Sequence, residues 1–465
     1  LWRIFISFVL QVLISRALGV EQFGQYVSAL AFLNVAQVVG ELGLPTLLVR
    51  DLAQAPTMQR AYYHFALRVQ LIAALTTWAG LIGLTLLLPI SLETREALWL
   101  VGASLPFYAV TSATETLFRA SERMELVMSV EATINTLIMA VSIVVLLMGG
   151  GILALITVLV VTQAISALLC WWLLRRHALP AEPQERVQLS LPQLWQDMRP
   201  FYWLTLADVL LHRLDILLLN VFAGDFVTGL YSLAYSVVRV VVKLIQSYWQ
   251  ALYPTLSRLH QHAERQYDLL STLSLRYGLM VVLPGAVIGV GVAGDVLQFI
   301  FGADAAASAR TFQILLTMTP FFLVEMYGVT QLMVSHRTRN SLQITWIHIA
   351  AVAVLLPVLT VGWGAVGAAI AMVLASLIGA VGSLLLLRQH AISLQVPKLP
   401  VLLAATALAG AIGYWLPTVW LLRGGAAALS YLIVVWATGV FAPNDRTILR
   451  SALRVPRAPA ALPTD

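Results

Sequence analysis

Long apolar runs separated by short polar connectors follow one another along almost the whole chain. Each run approaches the roughly 20 residues that a helix needs to cross a bilayer. The polar–apolar alternation of a membrane β-barrel is absent from the sequence, and lipid offers no partner for unpaired backbone groups. We therefore expect an all-α polytopic membrane protein with about fourteen transmembrane helices, at residues 1–15, 26–49, 61–89, 97–118, 126–148, 152–174, 200–222, 229–251, 269–294, 309–333, 341–361, 365–387, 400–419 and 424–441.

The composition excludes a water-soluble protein. Of the 465 residues, 60% are hydrophobic and 11% are charged, whereas soluble domains average about 45–50% and about 25%. The net charge of +6 does not predict nucleic-acid binding, because the basic residues lie mostly in short connectors between apolar runs. The only cysteine, Cys170, lies inside an apolar run and excludes both an internal disulfide and a multi-cysteine metal site.

The distribution of basic residues predicts the orientation. With the N-terminus inside, 18 Lys and Arg fall in inside connectors and 4 in outside connectors or at their edge, namely Arg16, Arg95, Arg310 and Arg423, as the positive-inside rule requires. No basic segment precedes the first apolar run, so we interpret Leu1 as lying within a shortened first helix and not in a cleaved signal. We expect a multi-pass protein of the cell (inner) membrane with both termini in the cytoplasm.

The most polar connector divides the first twelve spans into six and six. We expect an N-lobe at 1–175, a cytoplasmic interlobe linker at 176–199 and a C-lobe at 200–390. Helices thirteen and fourteen would occupy 391–442, and a cytoplasmic tail 443–465.

Internal repeats support the two lobes. A shift of 205 residues places Gly19 and Gly24 on Gly224 and Gly229, and a shift of 214 places Pro106 on Pro320. The shift changes only across connectors. We expect two homologous six-helix bundles in parallel orientation, because six is an even number of crossings.

Two segments carry a family resemblance. The segment 16–26, RALGVEQFGQY, and the later ELGLPTLLVRDLAQ resemble the opening of Wzx-type oligosaccharide flippases, within the multidrug, oligosaccharidyl-lipid and polysaccharide exporter superfamily. RLDILLLNVFAGDFVTGLYSLAYSVVRV at 213–240 and GAVGAAI at 364–370 extend the resemblance to the second half. It implies two bundles around a V-shaped cavity, and alternating access for a polyprenyl-pyrophosphate-linked oligosaccharide destined for surface polysaccharide. It also implies peripheral helices thirteen and fourteen, with glycan polymerases or glycosyltransferases as partners.

Polar side chains inside the spans mark a transport pathway, because they are costly in lipid. In helix eight, Tyr235, Arg239, Lys243, Gln246 and Gln250 recur every three or four residues and form one polar face. In the repeat-related helices one and two we single out Arg3, Asn34 and Glu41.

We expect Arg3, Asn34, Glu41, Arg239, Lys243 and Gln246 to bind substrate, since arginine and lysine are the natural counterions of a pyrophosphate. Asp208, His212 and Asp215, one turn apart in helix seven, are candidates for binding a coupling cation or proton. A structural alternative remains open, in which Asp208 or Asp215 pairs with Arg239 or Lys243 between helices. Glu115, Arg119 and Glu325 fit cavity lining and structural pairing equally well.

The sequence favours a transporter over an enzyme. It contains no P-loop, HExxH or GxSxG motif, and it indicates no cofactor or metal. A glycan polymerase would need a large extramembrane loop, whereas the outside connectors are short. A drug or cation antiporter of the same superfamily is the main alternative, although the basic face of helix eight favours an anionic lipid-linked cargo.

Overall fold

The computed structural model describes residues 2–54, 59–176, 191–390, 398–416 and 418–439. Within these residues there is no β-strand, and a short 3₁₀ helix at Ala303–Ser308 accompanies the α-helices. The α-helices are α1 (Trp2–Glu41), α2 (Leu44–Gln54), α3 (Gln59–Leu87), α4 (Leu92–Gly102), α5 (Leu105–Ala120), α6 (Met124–Leu147), α7 (Ile152–Arg176), α8 (Leu191–His262), α9 (Glu264–Gly291), α10 (Ala293–Phe301), α11 (Ala309–Val334), α12 (Thr338–Gln389), α13 (Leu399–Trp415) and α14 (Trp420–Ala437).

The helical fold of a multi-pass membrane protein is confirmed. Within the described residues, ten helical segments are long and apolar enough to cross a membrane. The number of fourteen spans stays a prediction, because α1, α8 and α12 each run through two predicted spans. Residues 177–190 of the predicted linker and the predicted tail at 443–465 lie outside the described residues, and α8 begins at Leu191, inside the predicted linker.

Glycines bend the three longest helices between the predicted spans. Gly19 in α1 (φ 80°), Gly224 in α8 (φ 77°) and Gly364 in α12 (φ 55°) have non-helical backbone angles. These positive φ values favour glycine, since a Cβ atom would be strained there. Gly19 and Gly224 are 205 residues apart and share nearly the same angles, which agrees with the predicted repeat at this point of the chain.

The chain divides into two compact units. Unit 1 comprises residues 1–233, 298–307 and 352–368, and unit 2 comprises 234–297, 308–351 and 369–465. The division therefore passes through α8 and α12. The predicted lobe boundaries remain predictions.

In unit 1, repeat-related glycines let two helical segments touch backbone to backbone. A Cβ atom on Gly24 would lie 2.0 Å from the carbonyl oxygen of Asp225, and one on Gly229 would lie 2.0 Å from that of Val20. Any larger side chain at either position would force the segments apart. The two contacts mirror each other, because Val20 and Asp225 are also 205 residues apart.

In unit 2, α9 packs against α11, α13 and α14. Met280, Leu402 and Val435 belong to a buried apolar cluster between α9 and the last two helices. The Tyr431 hydroxyl donates a hydrogen bond of 2.7 Å to the Met280 carbonyl. This bond satisfies a polar group that would otherwise be costly to bury.

Candidate functional site

The polar face of α8 in unit 2 carries two positive charges about one turn apart. The Arg239 guanidinium lies over the Tyr235 ring, 5.1 Å from its centre. The Lys243 Nζ atom donates a hydrogen bond of 2.8 Å to the Gln246 Oε1 atom. Arg239, Lys243 and Gln246 are all partly exposed. The three predicted residues thus form one cationic group on one helix face, which we call the α8 basic face.

The predicted ion-coupling residues of α8 divide into two environments in unit 1. The Asp208 side chain is 72% exposed, and its Oδ1 atom is 3.7 Å from His212 Nδ1. That imidazole nitrogen is closer to the Asp208 backbone carbonyl, at 2.7 Å. Asp215, by contrast, is only 2% exposed, and its Oδ2 atom accepts a hydrogen bond of 2.7 Å from the Tyr231 hydroxyl.

The predicted residues of α1 differ in their surroundings. The Asn34 amide donates to the Leu30 carbonyl of its own helix. Glu41, at the end of α1, accepts hydrogen bonds on its Oε1 atom from Tyr108 at 2.8 Å and from Ser112 at 2.7 Å. The side chain of Arg3 lies outside the described residues.

Glu41 lies in the wall of a cavity inside unit 1. The cavity has a volume of about 460 Å³ and its walls come from the end of α1, from α2 and from α5, α6 and α7. We call it the unit 1 cavity. Its lining residues are Glu41, Pro45, Thr46, Tyr108, Thr111, Ser112, Glu115, Thr116, Arg119, Val130, Glu131, Ile134, Asn135, Ile138, Gln163 and Ser166.

The charged residues of the unit 1 cavity are also paired with each other. Arg119 is 3.1 Å from a Glu115 carboxylate oxygen and 3.8 Å from one of Glu131. With Glu41, the lining holds three carboxyl groups and one guanidinium group. The sequence analysis left cavity lining and structural pairing open for Glu115 and Arg119. Both apply, because the two residues line the cavity and form an ion pair with each other.

Most of the polar lining was not predicted from the sequence. Gln163 Nε2 donates a hydrogen bond of 3.2 Å to Thr111 Oγ1, and Tyr108 and Ser112 bind Glu41. Tyr108, Ser112, Glu115 and Arg119 recur every three or four residues along α5. The same test of helical spacing that identified the polar face of α8 would have found this face.

The remaining candidate, Glu325, is buried in α11 and contacts His348 of α12. Among the described residues, no three His, Cys, Asp or Glu side chains come together in a way that could hold a metal ion. Glu325 is therefore the carboxylate of a two-residue pair.

Comparison with known proteins gives a family match for the sequence and structural neighbours for the fold. Residues 3–260, more than half of the chain, match the family model described as polysaccharide biosynthesis protein. No curated protein sequence matches.

Solved transporters share the fold at low sequence identity. The lipid II flippase MurJ, in an inward closed conformation, superimposes with a TM-score of 0.73 at 12% identity, over 97% of this chain and 98% of that one. An inward-facing multidrug resistance MATE family transporter of the MOP superfamily gives a TM-score of 0.68 at 11% identity, over 83% and 94%. A MOP superfamily transporter from Pyrococcus furiosus gives 0.54 at 13%, over 83% and 91%.

Proposed function

Because the chain belongs to the polysaccharide biosynthesis protein family and has the fold of MOP superfamily transporters, we propose that it is a lipid-linked oligosaccharide flippase. It moves a polyprenyl-pyrophosphate-linked oligosaccharide from the cytoplasmic to the outer leaflet by ion-coupled alternating access. The glycan then serves surface polysaccharide synthesis. The fold shared with MurJ, a lipid II flippase, supports a lipid-linked cargo.

The α8 basic face carries this proposal. Arg239 and Lys243 place two positive charges about one turn apart on a helix that is long and apolar enough to cross a membrane. A pyrophosphate is a multiply charged anion, and it needs fixed cationic partners to leave water. Arg239 offers a planar fork of donors, and Lys243 adds a compact charge. Gln246, which already accepts from Lys243, orients that ammonium group.

The unit 1 cavity supplies the chemistry that a sugar requires. Sugar hydroxyl groups both donate and accept hydrogen bonds, and the cavity lining offers carboxylates, amides and hydroxyls. Glu41 accepts from Tyr108 and Ser112 through the same oxygen, Oε1. This lining is compatible with the hydrogen-bonding groups of a sugar.

The decisive experiment replaces both charges of the α8 basic face. Arg239→Gln with Lys243→Gln should abolish glycan export, measured as surface polysaccharide in cells with normal protein abundance. The matched control is Arg258→Gln, since Arg258 is an exposed residue about four turns further along the same helix. Full export by the double variant would refute the assignment of the anion site. If Arg258→Gln loses as much glycan export as the double variant, export depends on the overall positive charge of the helix and not on a specific anion site.

We also propose that Asp208, His212 and Asp215 bind the coupling cation or proton. Asp215 is the central member, because it is buried and hydrogen-bonded to Tyr231. Asp215→Asn keeps the shape of this contact but removes the ionisable group. Transport by this variant should lose its dependence on pH or on the cation, whereas Tyr231→Phe should retain it. If Tyr231→Phe loses this dependence and Asp215→Asn retains it, the dependence comes from packing around Tyr231 and not from ionisation of Asp215.

A second function, antiport of lipophilic cations, is favoured by one observation. Three carboxylates and one guanidinium give the unit 1 cavity a negative balance, and such a lining attracts cations. If this function applies, cells producing the protein should resist a quaternary ammonium compound, and Glu41→Gln should remove the resistance. If the flippase proposal applies, resistance should not change while surface glycan does.

A further inference from the structure

Glu325 and His348 form a buried acid–base pair in unit 2. Only 1% of Glu325 and 2% of His348 is exposed. The His348 Nδ1 atom is 3.0 Å from each of the two carboxylate oxygens. Both helices that carry them are among those able to cross a membrane. The pair is therefore removed from water on all sides of the folded unit.

The backbone of α12 is shaped to hold this carboxylate. A Cβ atom on Gly379 would lie 2.4 Å from the Glu325 Cδ atom and within 2.7 Å of both carboxylate oxygens. The carboxylate thus rests directly on the glycine backbone, in space that a side chain would fill. Gly328, about one turn from Glu325, contacts Ser383 of α12 in the same close manner. Glu325 lies between the two halves of α12, with His348 on one and Gly379 on the other.

Tyr327 and Gln331, two other polar residues of α11, do not lie on the same side of the helix as Glu325. Tyr327 and Gln331 contact Ser271 and Tyr267 of α9. They follow Glu325 by two and six residues, which places them on the far side of the helix. Three of the charged groups on the neighbouring α8 and α9 have aromatic or amide partners within reach: Arg239 over Tyr235, Lys243 on Gln246 and Arg276 over Tyr277. His348 is thus the titratable group that directly contacts the Glu325 carboxylate.

A buried ion pair is a poor device for stability alone. The desolvation of two charges offsets most of their attraction, and apolar residues of similar size often stabilise a protein equally well. Intramembrane carboxylates and histidines occur mainly where protons or ions move. The pair has three charge states: −1 without a proton, zero with one shared proton and +1 with a proton on each group. A histidine changes charge near neutral pH more readily than any other side chain.

We propose that Glu325 and His348 are a proton-binding site of this transporter, in addition to Asp208, His212 and Asp215. The site takes up a proton from one side of the membrane when the protein opens there. It releases that proton to the other side after the conformational change. This step rests on the proposed ion-coupled transport, but proton binding itself does not, so the two can be tested separately.

Proton binding can be measured on purified protein without any substrate. Acid–base titrations of the wild type and of Glu325→Gln with His348→Gln, in lipid nanodiscs, should differ by about one proton between about pH 9 and pH 5. His390→Gln serves as the control histidine, because His390 lies in the same unit at the end of α12, where it contacts Arg337 and Asn340. The titration curve of His390→Gln should keep the proton uptake of the buried pair and lose only the contribution of the His390 imidazole.

If the titration curves of the wild type and the double variant show no difference in proton uptake over this pH range, the pair keeps a fixed number of protons and the proposal is wrong. If the double variant does not fold, ¹⁵N NMR of histidine-labelled wild type replaces it. The His348 ring nitrogens, assigned by their absence in the single variant His348→Gln, should then shift across the same pH range. No shift would also overturn the proposal.

Coupling is measured in proteoliposomes with a fluorescent polyprenyl-pyrophosphate disaccharide. If one proton is coupled to each transport cycle, a gradient of about one pH unit should give about a tenfold asymmetry in the amount of probe between the two leaflets. Glu325→Gln should lower this asymmetry, because the contribution of the Glu325–His348 pair is lost, and His390→Gln should behave as the wild type. A full asymmetry in Glu325→Gln would refute the coupling. A wild type that moves no probe would instead refute the flippase proposal and leave the titration result valid.

Discussion

Asp225 stabilises the bend of α8 through three hydrogen bonds. Its Oδ1 atom accepts from Asn220 at 2.7 Å and from Thr94 at 2.8 Å, and its Oδ2 atom accepts from Ser91 at 2.5 Å. Asp225 is 7% exposed and follows Gly224, where the helix bends. Ser91 is also the N-cap of α4 and accepts from the Thr94 backbone. The carboxylate therefore connects the bend in α8 to the first turn of α4.

Replacing this carboxylate should be costly. A hydrogen bond to a charged group contributes about 1.5–3 kcal/mol, and Asp225→Ala removes the acceptor of three such bonds. The bonds are not additive, and water can reach part of a site at a helix end, so we expect a loss of about 3–5 kcal/mol. Asp225→Asn keeps one acceptor oxygen for Thr94 and Asn220 and leaves mainly the Ser91 hydroxyl without its acceptor. It should cost about 1–2 kcal/mol.

Denaturant unfolding of the purified protein, followed by tryptophan fluorescence, measures these values. The control Asp304→Ala changes an exposed aspartate of unit 1 and should stay within about 0.5 kcal/mol of the wild type. An Asp225→Ala variant no less stable than Asp225→Asn would contradict the role of the carboxylate. If both variants match the control, the hydrogen bonds contribute nothing measurable.

Two further predictions use the same protein. Gly379→Ala should lower stability by about 1–3 kcal/mol, because its Cβ atom would overlap the Glu325 carboxylate, whereas Gly382→Ala, with open space around it, should be neutral or slightly stabilising in the same assay. In a Cys170→Ala background, single cysteines placed in the segment 177–190 should be protected from an impermeant reagent in intact cells and labelled after lysis. Labelling in intact cells would contradict the predicted cytoplasmic linker.

The helices were predictable because the membrane imposes one simple requirement. A run of about 20 apolar residues forms a helix whatever its neighbours, since the backbone has no other partner in lipid. Most ends of the predicted spans therefore fall close to bends or ends of the observed helices. The main exceptions are the spans 26–49 and 97–118, which cross the ends of α1 and α4, and the span 229–251, beyond which α8 continues to His262. What could not be predicted is that α1, α8 and α12 continue through their glycines. A glycine between two apolar runs is compatible with both a loop and a bend, and packing decides between them.

The candidate site was predictable only within one helix. Arg239, Lys243 and Gln246 are neighbours because of helical spacing, so their shared face follows from the sequence. The contact between Glu325 and His348 does not follow from the sequence, because His348 is 23 residues away on another helix. Asp215 shows the same limit. Its place in the predicted span 200–222 was recognised, but its burial against Tyr231 depends on how two segments of α8 meet.

At the predicted repeat offset, the Glu325–His348 pair has no counterpart in the first half of the sequence. At a shift of 214 residues, Glu325 corresponds to Thr111, His348 to Ile134 and Gly379 to Ile165. Thr111 is hydrogen-bonded to Gln163, an uncharged partner. A carboxylate at position 111 would have neither an imidazole nor a bare glycine backbone at the corresponding positions. Since all three residues differ together, the acid, its histidine and the glycine beneath it are best understood as one functional unit that belongs to the second half of the chain.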